Sequence, residues 1–149
     1  MSNTSNVVAA LTRVLGDTYS LYLKTHGYHW NVEGPRFKTL HDLFEEQYRA
    51  MWESMDEIAE RIRALGAYAP MGGPALTAAA TIDSTDNDVP SADAMIANLV
   101  AGHEQWLDGA RKALAAAGDA DDAATEDLLS PLISAHEKMA WMLRSSREQ

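Results

Sequence analysis

The feature that most constrains this chain is a long run without a helix breaker. Residues 36–65 contain neither proline nor glycine, and Gly66 follows where a C-terminal helix cap belongs. Apolar side chains recur along the run at spacings of three and four, which is the pattern of one buried helix face. They are Leu40, Phe44, Tyr48, Met51, Met55, Ile58, Ile62 and Leu65. The sequence therefore predicts one long amphipathic helix here.

The same helix carries His41, Glu45, Asp56 and Glu60. At about 100° per residue, all four fall on one face. His41 and Asp56 are nevertheless separated by roughly 22 Å along the axis, so they cannot bind one ion within one chain. Two interpretations remain open. The face is either solvated and acidic, or it meets an antiparallel copy of itself about a twofold axis near residues 50–51. In the second case, His41 and Glu45 of one chain lie against Asp56 and Glu60 of the other.

His29 fits the second interpretation. It precedes the Gly34-Pro35 turn by about as much as His41 follows it. In a tight helical hairpin the two imidazoles then lie at one level. Two histidines and three carboxylates form a ligand set that suits iron, manganese or zinc.

Three further long helices are predicted. Their bounds are 7–32, 91–117 and, for the last, up to about Arg147. Ser91 is the expected N-cap and Gly118 the expected C-cap of the middle one. Pro131 either kinks the last helix or marks its start.

The segment between the second and third long helices, residues 67–90, holds three of the five prolines and predicts a short helix over 74–80. Connections this long are uncommon inside a compact domain. A long crossover is typical of ferritin-like four-helix bundles. We therefore expect an all-α, ferritin-like bundle in a single domain over residues 1–149, with the short helix in the crossover.

Composition excludes several classes of function. There is no cysteine among 149 residues, so disulfides and thiol chemistry are excluded. The N-terminal stretch lacks a basic region followed by an apolar run, so we expect no signal peptide, no membrane span and a cytoplasmic protein. The net charge of −10 disfavours nucleic acid and membrane surfaces and favours cations.

Motifs that are absent narrow the choice further. The chain contains no G-x-G-x-x-G, P-loop, G-x-S-x-G or H-E-x-x-H sequence. It also contains no Glu-x-x-His, which the common di-iron centre inside a single bundle uses on two helices. This argues against a site within one bundle and leaves the intersubunit site.

Two segments resemble the signatures of the Dps family, ferritin-like proteins named for DNA protection in starved cells. They are HWNVEGPRFKTLHDLFE, residues 29–45, and MDEIAERIRALG, residues 55–66. The resemblance rests on both histidines, Trp30, Gly34 and the Asp-x-x-x-Glu-Arg of residues 56–61. Elsewhere it rests on length, helix order and the crossover.

The resemblance implies a hollow dodecamer that binds ferrous iron at twofold interfaces, oxidises it with hydrogen peroxide and stores ferric mineral, protecting against oxidative stress. His29, His41 and Glu45 would come from one subunit, and Asp56 and Glu60 from its mate. Family members commonly carry aspartate where this chain has Glu45. Many bind DNA through a lysine-rich tail that this chain lacks, so direct DNA binding is not expected. The alternative function is a DNA-compacting particle with incidental metal binding.

Other residues have structural interpretations. His26, His103 and His136 are expected to be packed or hydrogen-bonded rather than ligands. Trp52 is either an interface anchor or a half-buried core residue. The acidic loop 119–127 is either solvated or, as the resemblance suggests, part of a threefold cation pore with residues such as Asp122 and Asp127.

Overall fold

The computed structural model describes residues 2–148, and these form five helices. The helices are α1 (Asn3–Asn31), α2 (Phe37–Ala64), α3 (Gly73–Ala79), α4 (Ala92–Asp119) and α5 (Ala123–Ser145). Four long helices form the bundle, and α3 is the short helix of the crossover. The predicted all-α architecture, with a short helix in the crossover, is confirmed. Among residues 2–148, no helix has both the length and the apolar character needed to cross a membrane.

The ends of the first two helices follow local hydrogen bonding. The Ser2 hydroxyl accepts from the Ser5 N–H, which starts α1 four residues earlier than the apolar pattern indicated. Gly66 has φ of +96°, and the next N–H bonds back to the Ile62 carbonyl. This six-to-one bond defines a Schellman motif, so the predicted cap at Gly66 is confirmed.

The predicted cap at Gly118 is wrong. Gly118 lies inside α4, and Asp121 instead adopts the left-handed conformation with φ of +53°. The Asp122 N–H bonds back to the Ala117 carbonyl, which closes the Schellman motif there. Aspartate tolerates this conformation better than most side chains, so glycine is not required.

Asp122 also caps α5 and pairs with Arg61 at 2.9 Å. The carboxylate of Asp122 is thus bonded within the chain to Arg61 and Thr125, and its predicted place in a cation pore stays a prediction. Asp127 is exposed and makes neither the N-cap of α5 nor the ion pair with Arg61. Pro131 lies inside α5 and does not begin it.

The core is built from the inner faces of all four long helices. Trp106 of α4 is its largest fully buried side chain, and its indole N–H donates to the Thr18 hydroxyl of α1 at 2.9 Å. Phe44 of α2 and Leu129 of α5 are also fully buried. These contacts fix the relative positions of the helices that carry the candidate ligands.

Two residues of α1 hold the crossover against the bundle. A Cβ on Gly16 would lie 2.7 Å from the Ala80 nitrogen, so only glycine allows this approach. The buried carboxylate of Asp17 accepts hydrogen bonds from the N–H and hydroxyl of Thr81 and from the N–H of Ile82. The crossover is therefore fixed by close packing and by a buried charge.

Candidate metal centre

The α1–α2 hairpin brings His29 and His41 together. Their rings stack with centroids 3.8 Å apart and planes 16° apart. Each Nδ1 lies 2.7 Å from the backbone carbonyl oxygen of the other histidine. The prediction that the two imidazoles lie at one level is confirmed. This reciprocal bonding also fixes the ring orientations.

The reciprocal bonds select the tautomer of each imidazole. A carbonyl oxygen only accepts, so each Nδ1 must carry the proton and donate it. The lone pair available for a metal ion is therefore on Nε2 of both rings, an arrangement common among metal-binding histidines. The nearest carboxylate to one of them is Glu45, whose Oε1 lies 3.9 Å from the His29 Nε2.

Arg49 restrains Glu45. Its Nε donates to the Glu45 Oε2 at 2.9 Å, one helical turn further along α2. The hydrogen bond to Arg49 lowers the pKa of Glu45, with smaller contributions from the neighbouring histidines. Glu45 is therefore held as a carboxylate beside the imidazoles. It is also paired with the Arg49 guanidinium, so a metal ion that binds Glu45 must either displace Arg49 or bind beside it.

The other two predicted ligands lie elsewhere on the same helix. Asp56 is exposed and borders a groove formed with Tyr19, Tyr22 and Trp52, while Glu60 is exposed one turn further on. Within residues 2–148, no cluster of three or more His, Asp or Glu side chains is close enough to hold a metal ion. Within one subunit, Asp56 and Glu60 therefore lie apart from the histidine pair and Glu45, as the axial distance predicted.

Aromatic rings pack beside the histidine pair. His26 stacks on Tyr48 with centroids 3.9 Å apart, and its Nδ1 lies 2.9 Å from the Tyr22 hydroxyl. Burial, followed by the nearby His29 and Arg49, lowers the pKa of His26. The expectation that His26 is packed and hydrogen-bonded is confirmed.

Trp52 lies at the edge of the same aromatic group. Its ring is 5.8 Å from Tyr22, and 62% of the residue is exposed in the single chain. It is therefore not a half-buried core residue. Exposed tryptophan side chains of this kind are typical of protein interfaces.

Sequence reasoning missed Arg49 although a signal was present. Glu45 and Arg49 are four residues apart on one helix, the spacing at which opposite charges pair. The reciprocal bonds of His29 and His41 had no comparable signal, because they depend on the exact approach of two helices.

Comparison with known proteins identifies the family of this chain. Residues 8–149 match the ferritin-like domain family. The chain is 45% identical over 141 residues to an uncharacterised low temperature-induced protein of Nostoc sp., covering 93% of this chain and 78% of the relative. It is 35% identical to DNA protection during starvation protein 2 of Bacillus anthracis, covering 96% and 97% of the two chains.

A solved Dps structure has the same fold as this chain. The Dps protein of Vibrio cholerae O1, described as a member of a broad superfamily of ferritin-like diiron-carboxylate proteins, superposes with a TM-score of 0.90. The two share 33% identity, and the match covers 96% of this chain and 89% of the other. The fold and the family match define a ferritin-like protein. Within that class, the chain belongs to the Dps family of mini-ferritins.

Proposed function

We propose that this protein is an iron-oxidising and iron-storing mini-ferritin. It binds ferrous iron at sites shared between two subunits, oxidises it with hydrogen peroxide and keeps the ferric product in a hollow shell. The observation that carries the proposal is the His29–His41 pair, in which both Nδ1 atoms are bonded to carbonyl oxygens and both Nε2 atoms are left for a metal ion. Family membership gives independent support for iron.

The proposed site has two halves. His29, His41 and Glu45 form the half beside the hairpin turn. Asp56 of the partner subunit and Glu60 of the partner subunit form the other. An antiparallel pairing of α2 with its copy brings the halves together twice in each dimer, because a twofold axis pairs each residue with its counterpart in both directions. The exposed Trp52 supports an interface at this face.

The ligand set fits the chemistry. Imidazole nitrogens and carboxylate oxygens suit ferrous iron, and carboxylates stabilise the ferric product more than the ferrous reactant. Two ferrous ions each lose one electron, and one peroxide takes up both electrons with two protons to give two water molecules. Consuming peroxide in this two-electron step limits hydroxyl radical formation, which is how the reaction would protect against oxidative stress.

Glu45 has a particular role in this proposal. Compared with aspartate at this position, one extra methylene lets its carboxylate reach Arg49 while lying 3.9 Å from His29 Nε2. Arg49 keeps it ionised before iron arrives. When iron binds, the carboxylate can exchange the guanidinium for the metal ion.

We also propose a dodecamer built from these dimers, without direct binding to DNA. The net charge is −10, and eight of the twelve basic side chains are paired with carboxylates within residues 2–148. Few cations are left to neutralise phosphates. A gel shift at about 0.15 M salt should show no retardation of duplex DNA, whereas retardation without added divalent cation would support the DNA-compacting alternative.

Subunit mixing tests the shared site. One variant carries His41→Ala and Glu45→Ala, the other Asp56→Ala and Glu60→Ala. Each should be inactive alone, since every site in its homodimer lacks one half. In a mixed dimer, both defects fall in one site and the second site is intact, so random mixing should restore about a quarter of wild-type sites.

The assay is peroxide-dependent oxidation of ferrous iron in the absence of oxygen, with mixing verified by mass spectrometry. Gel filtration of each variant controls for assembly. If mixed and assembled subunits recover no activity, the shared-site model is refuted. A stable and fully active monomer would refute it as well.

A further inference from the structure

A tyrosine of α1 is hydrogen-bonded to a histidine one turn further along the same helix. The Tyr22 hydroxyl lies 2.9 Å from the His26 Nδ1. Among residues 2–148, this is the one tyrosine hydroxyl bonded to an imidazole. A phenol is a stronger acid than a neutral imidazole N–H, so the hydroxyl donates and Nδ1 accepts. His103 and His136 bond to each other instead, as expected of structural residues.

Both partners of this hydrogen bond are uncharged at rest. Burial, followed by the neighbouring Tyr48 and Tyr19, raises the pKa of Tyr22, so the phenol keeps its proton at neutral pH. Burial also lowers the pKa of His26, so its Nδ1 lone pair stays free to accept a proton. The distance lies in the range over which a base removes a proton. Tyr22 therefore has a base in place at its hydroxyl.

Aromatic rings connect this pair to the candidate metal centre. Tyr48 neighbours both, with its ring centroid 6.0 Å from that of Tyr22 and 5.2 Å from that of His29. His26 stacks on the same Tyr48 ring at 3.9 Å. Rings this close allow an electron to pass from Tyr22 to a metal ion at the His29 Nε2. Tyr22 is therefore coupled to the site while it lies outside the proposed ligand set.

The proposed reaction has a requirement that a single ferrous ion does not meet. Reducing peroxide to two water molecules takes two electrons, whereas one ferrous ion gives one. A site that holds one ion would release the remaining oxidising equivalent as hydroxyl radical. Glu45 is shared with Arg49, so each site has few free carboxylate oxygens for a second ion. A second electron donor close to the site would remove this hazard.

We propose that Tyr22 supplies the second electron when a site holds one ferrous ion, and that its proton passes to the His26 Nδ1. This inference rests on the proposed function. Peroxide takes one electron from the ferrous ion, one from Tyr22 and two protons from solvent, and gives two water molecules. The Tyr22 O–H bond breaks, its proton is held on His26, and a neutral tyrosyl radical remains beside one ferric ion.

The radical is then reduced by the next ferrous ion to arrive. That ion gives one electron to the phenoxyl oxygen of Tyr22 and becomes ferric, while His26 returns the proton. The sum of the two steps is two ferrous ions per peroxide, as in the proposed function. Tyr22 thus allows the two ions to be oxidised one after the other without releasing hydroxyl radical.

The hydrogen bond to His26 determines where the oxidising equivalent rests. Tyrosine loses its proton when it is oxidised, so a base at the hydroxyl makes the oxidation easier at Tyr22 than at a ring without one. Because the proton stays within the hydrogen bond, the step is readily reversed. Trp52 is the next ring, 5.8 Å from Tyr22, and is largely exposed. Holding the radical at Tyr22 keeps it off that exposed ring.

The test is rapid-freeze electron paramagnetic resonance of the assembled protein, given fewer ferrous ions than sites and then peroxide, without oxygen. We expect a tyrosyl radical, whose spectrum changes with ring-deuterated tyrosine and not with deuterated tryptophan. Tyr22→Phe should remove the signal and increase the hydroxyl radical caught by a spin trap. Tyr68→Phe is the matched control and should leave the signal unchanged, because Tyr68 is exposed on the crossover with its ring against Arg63.

Two measurements test the role of His26. His26→Gln keeps a hydrogen-bond acceptor near the Tyr22 hydroxyl but does not take up its proton, so formation of the radical should slow by about 100-fold. High-field spectra of the wild-type radical should show that its oxygen accepts a hydrogen bond from an exchangeable proton. The second result does not depend on whether the variant folds.

The outcomes separate this inference from the proposed function. Ferric product formed by the wild-type protein without a tyrosyl radical overturns the inference and leaves the function intact. Failure to form ferric product with peroxide overturns the function itself. A radical on tryptophan, or one that persists in folded Tyr22→Phe protein, overturns the role of Tyr22. An unchanged rate in folded His26→Gln protein, or a wild-type radical without a hydrogen bond, overturns the role of His26.

Discussion

Removing the buried carboxylate of Asp17 should release the crossover from the bundle. The side chain accepts from the Thr81 N–H at 2.6 Å, from the Thr81 hydroxyl at 2.9 Å and from the Ile82 N–H at 2.9 Å. A hydrogen bond to a charged group contributes about 1.5–3 kcal/mol, so three of them contribute roughly 5–9 kcal/mol if the fold stays intact. Asp17→Ala would leave all three donors without this acceptor.

The protein can avoid part of that cost by letting the crossover detach locally. We therefore expect Asp17→Ala to lower the free energy of unfolding by about 2–4 kcal/mol and to expose residues 79–85 to solvent exchange. Denaturant unfolding measures the first effect, and hydrogen–deuterium exchange with mass spectrometry measures the second.

Asp17→Asn is the matched control for this variant. Its amide oxygen can still accept from the two backbone N–H groups, and the Thr81 hydroxyl can turn to accept from its amide nitrogen. We expect a loss of about 1–2 kcal/mol. If Asp17→Ala costs less than about 1 kcal/mol and leaves exchange in residues 79–85 unchanged, the carboxylate does not hold the crossover and the reasoning is wrong.

Two further predictions concern the histidine pairs. His103 and His136 are neutral in the folded protein but take up protons near pH 6.5 when the chain is unfolded. Their contribution to the free energy of unfolding is therefore complete above that pH and is lost as the pH falls below it. At pH 5.5 the free energy of unfolding is lower by about 3 kcal/mol for the two residues together. Urea unfolding at pH 7.5 and 5.5 should show this loss, and a His103→Gln, His136→Gln protein that retains the full dependence would contradict it. Arg49→Gln frees Glu45 from an exposed and therefore weak ion pair, so ferrous iron should bind up to about fivefold more tightly. Anaerobic iron titration measures this, with Lys38→Gln as a control that removes a different exposed ion pair, and weaker binding in Arg49→Gln would show that Arg49 assists the metal ion.

The fold was predictable because its signals are local. Apolar spacing, a capping glycine at Gly66 and the proline-rich crossover each act within a few residues, and they located the helices to within a few positions. The two errors, at the start of α1 and at the end of α4, arose because other nearby residues cap these helices. Ser2 caps α1 earlier than the apolar pattern begins, and Asp121 takes the conformation that Gly118 was expected to supply.

The candidate site was only partly predictable. Helical rise alone excluded a site closed within one chain, and the hairpin symmetry predicted the level of the two histidines. The side-chain bonds of Asp17 to the crossover, and of His103 to His136, join residues 64 and 33 positions apart. Such pairs depend on how helices pack, and no spacing rule identifies them in one sequence.

The two histidine pairs show how partner atoms decide the chemistry of one residue type. In His29 and His41 each Nδ1 donates to a carbonyl oxygen, so both rings offer Nε2 to a metal ion beside Glu45. In His103 and His136 the Nδ1 atoms bond to each other, and burial keeps both rings neutral. In the proposed site, carboxylates from a second subunit complete the first pair, so we expect its function to depend on assembly. The second pair is enclosed within one bundle, so its hydrogen bond should persist in any state that preserves the folded subunit.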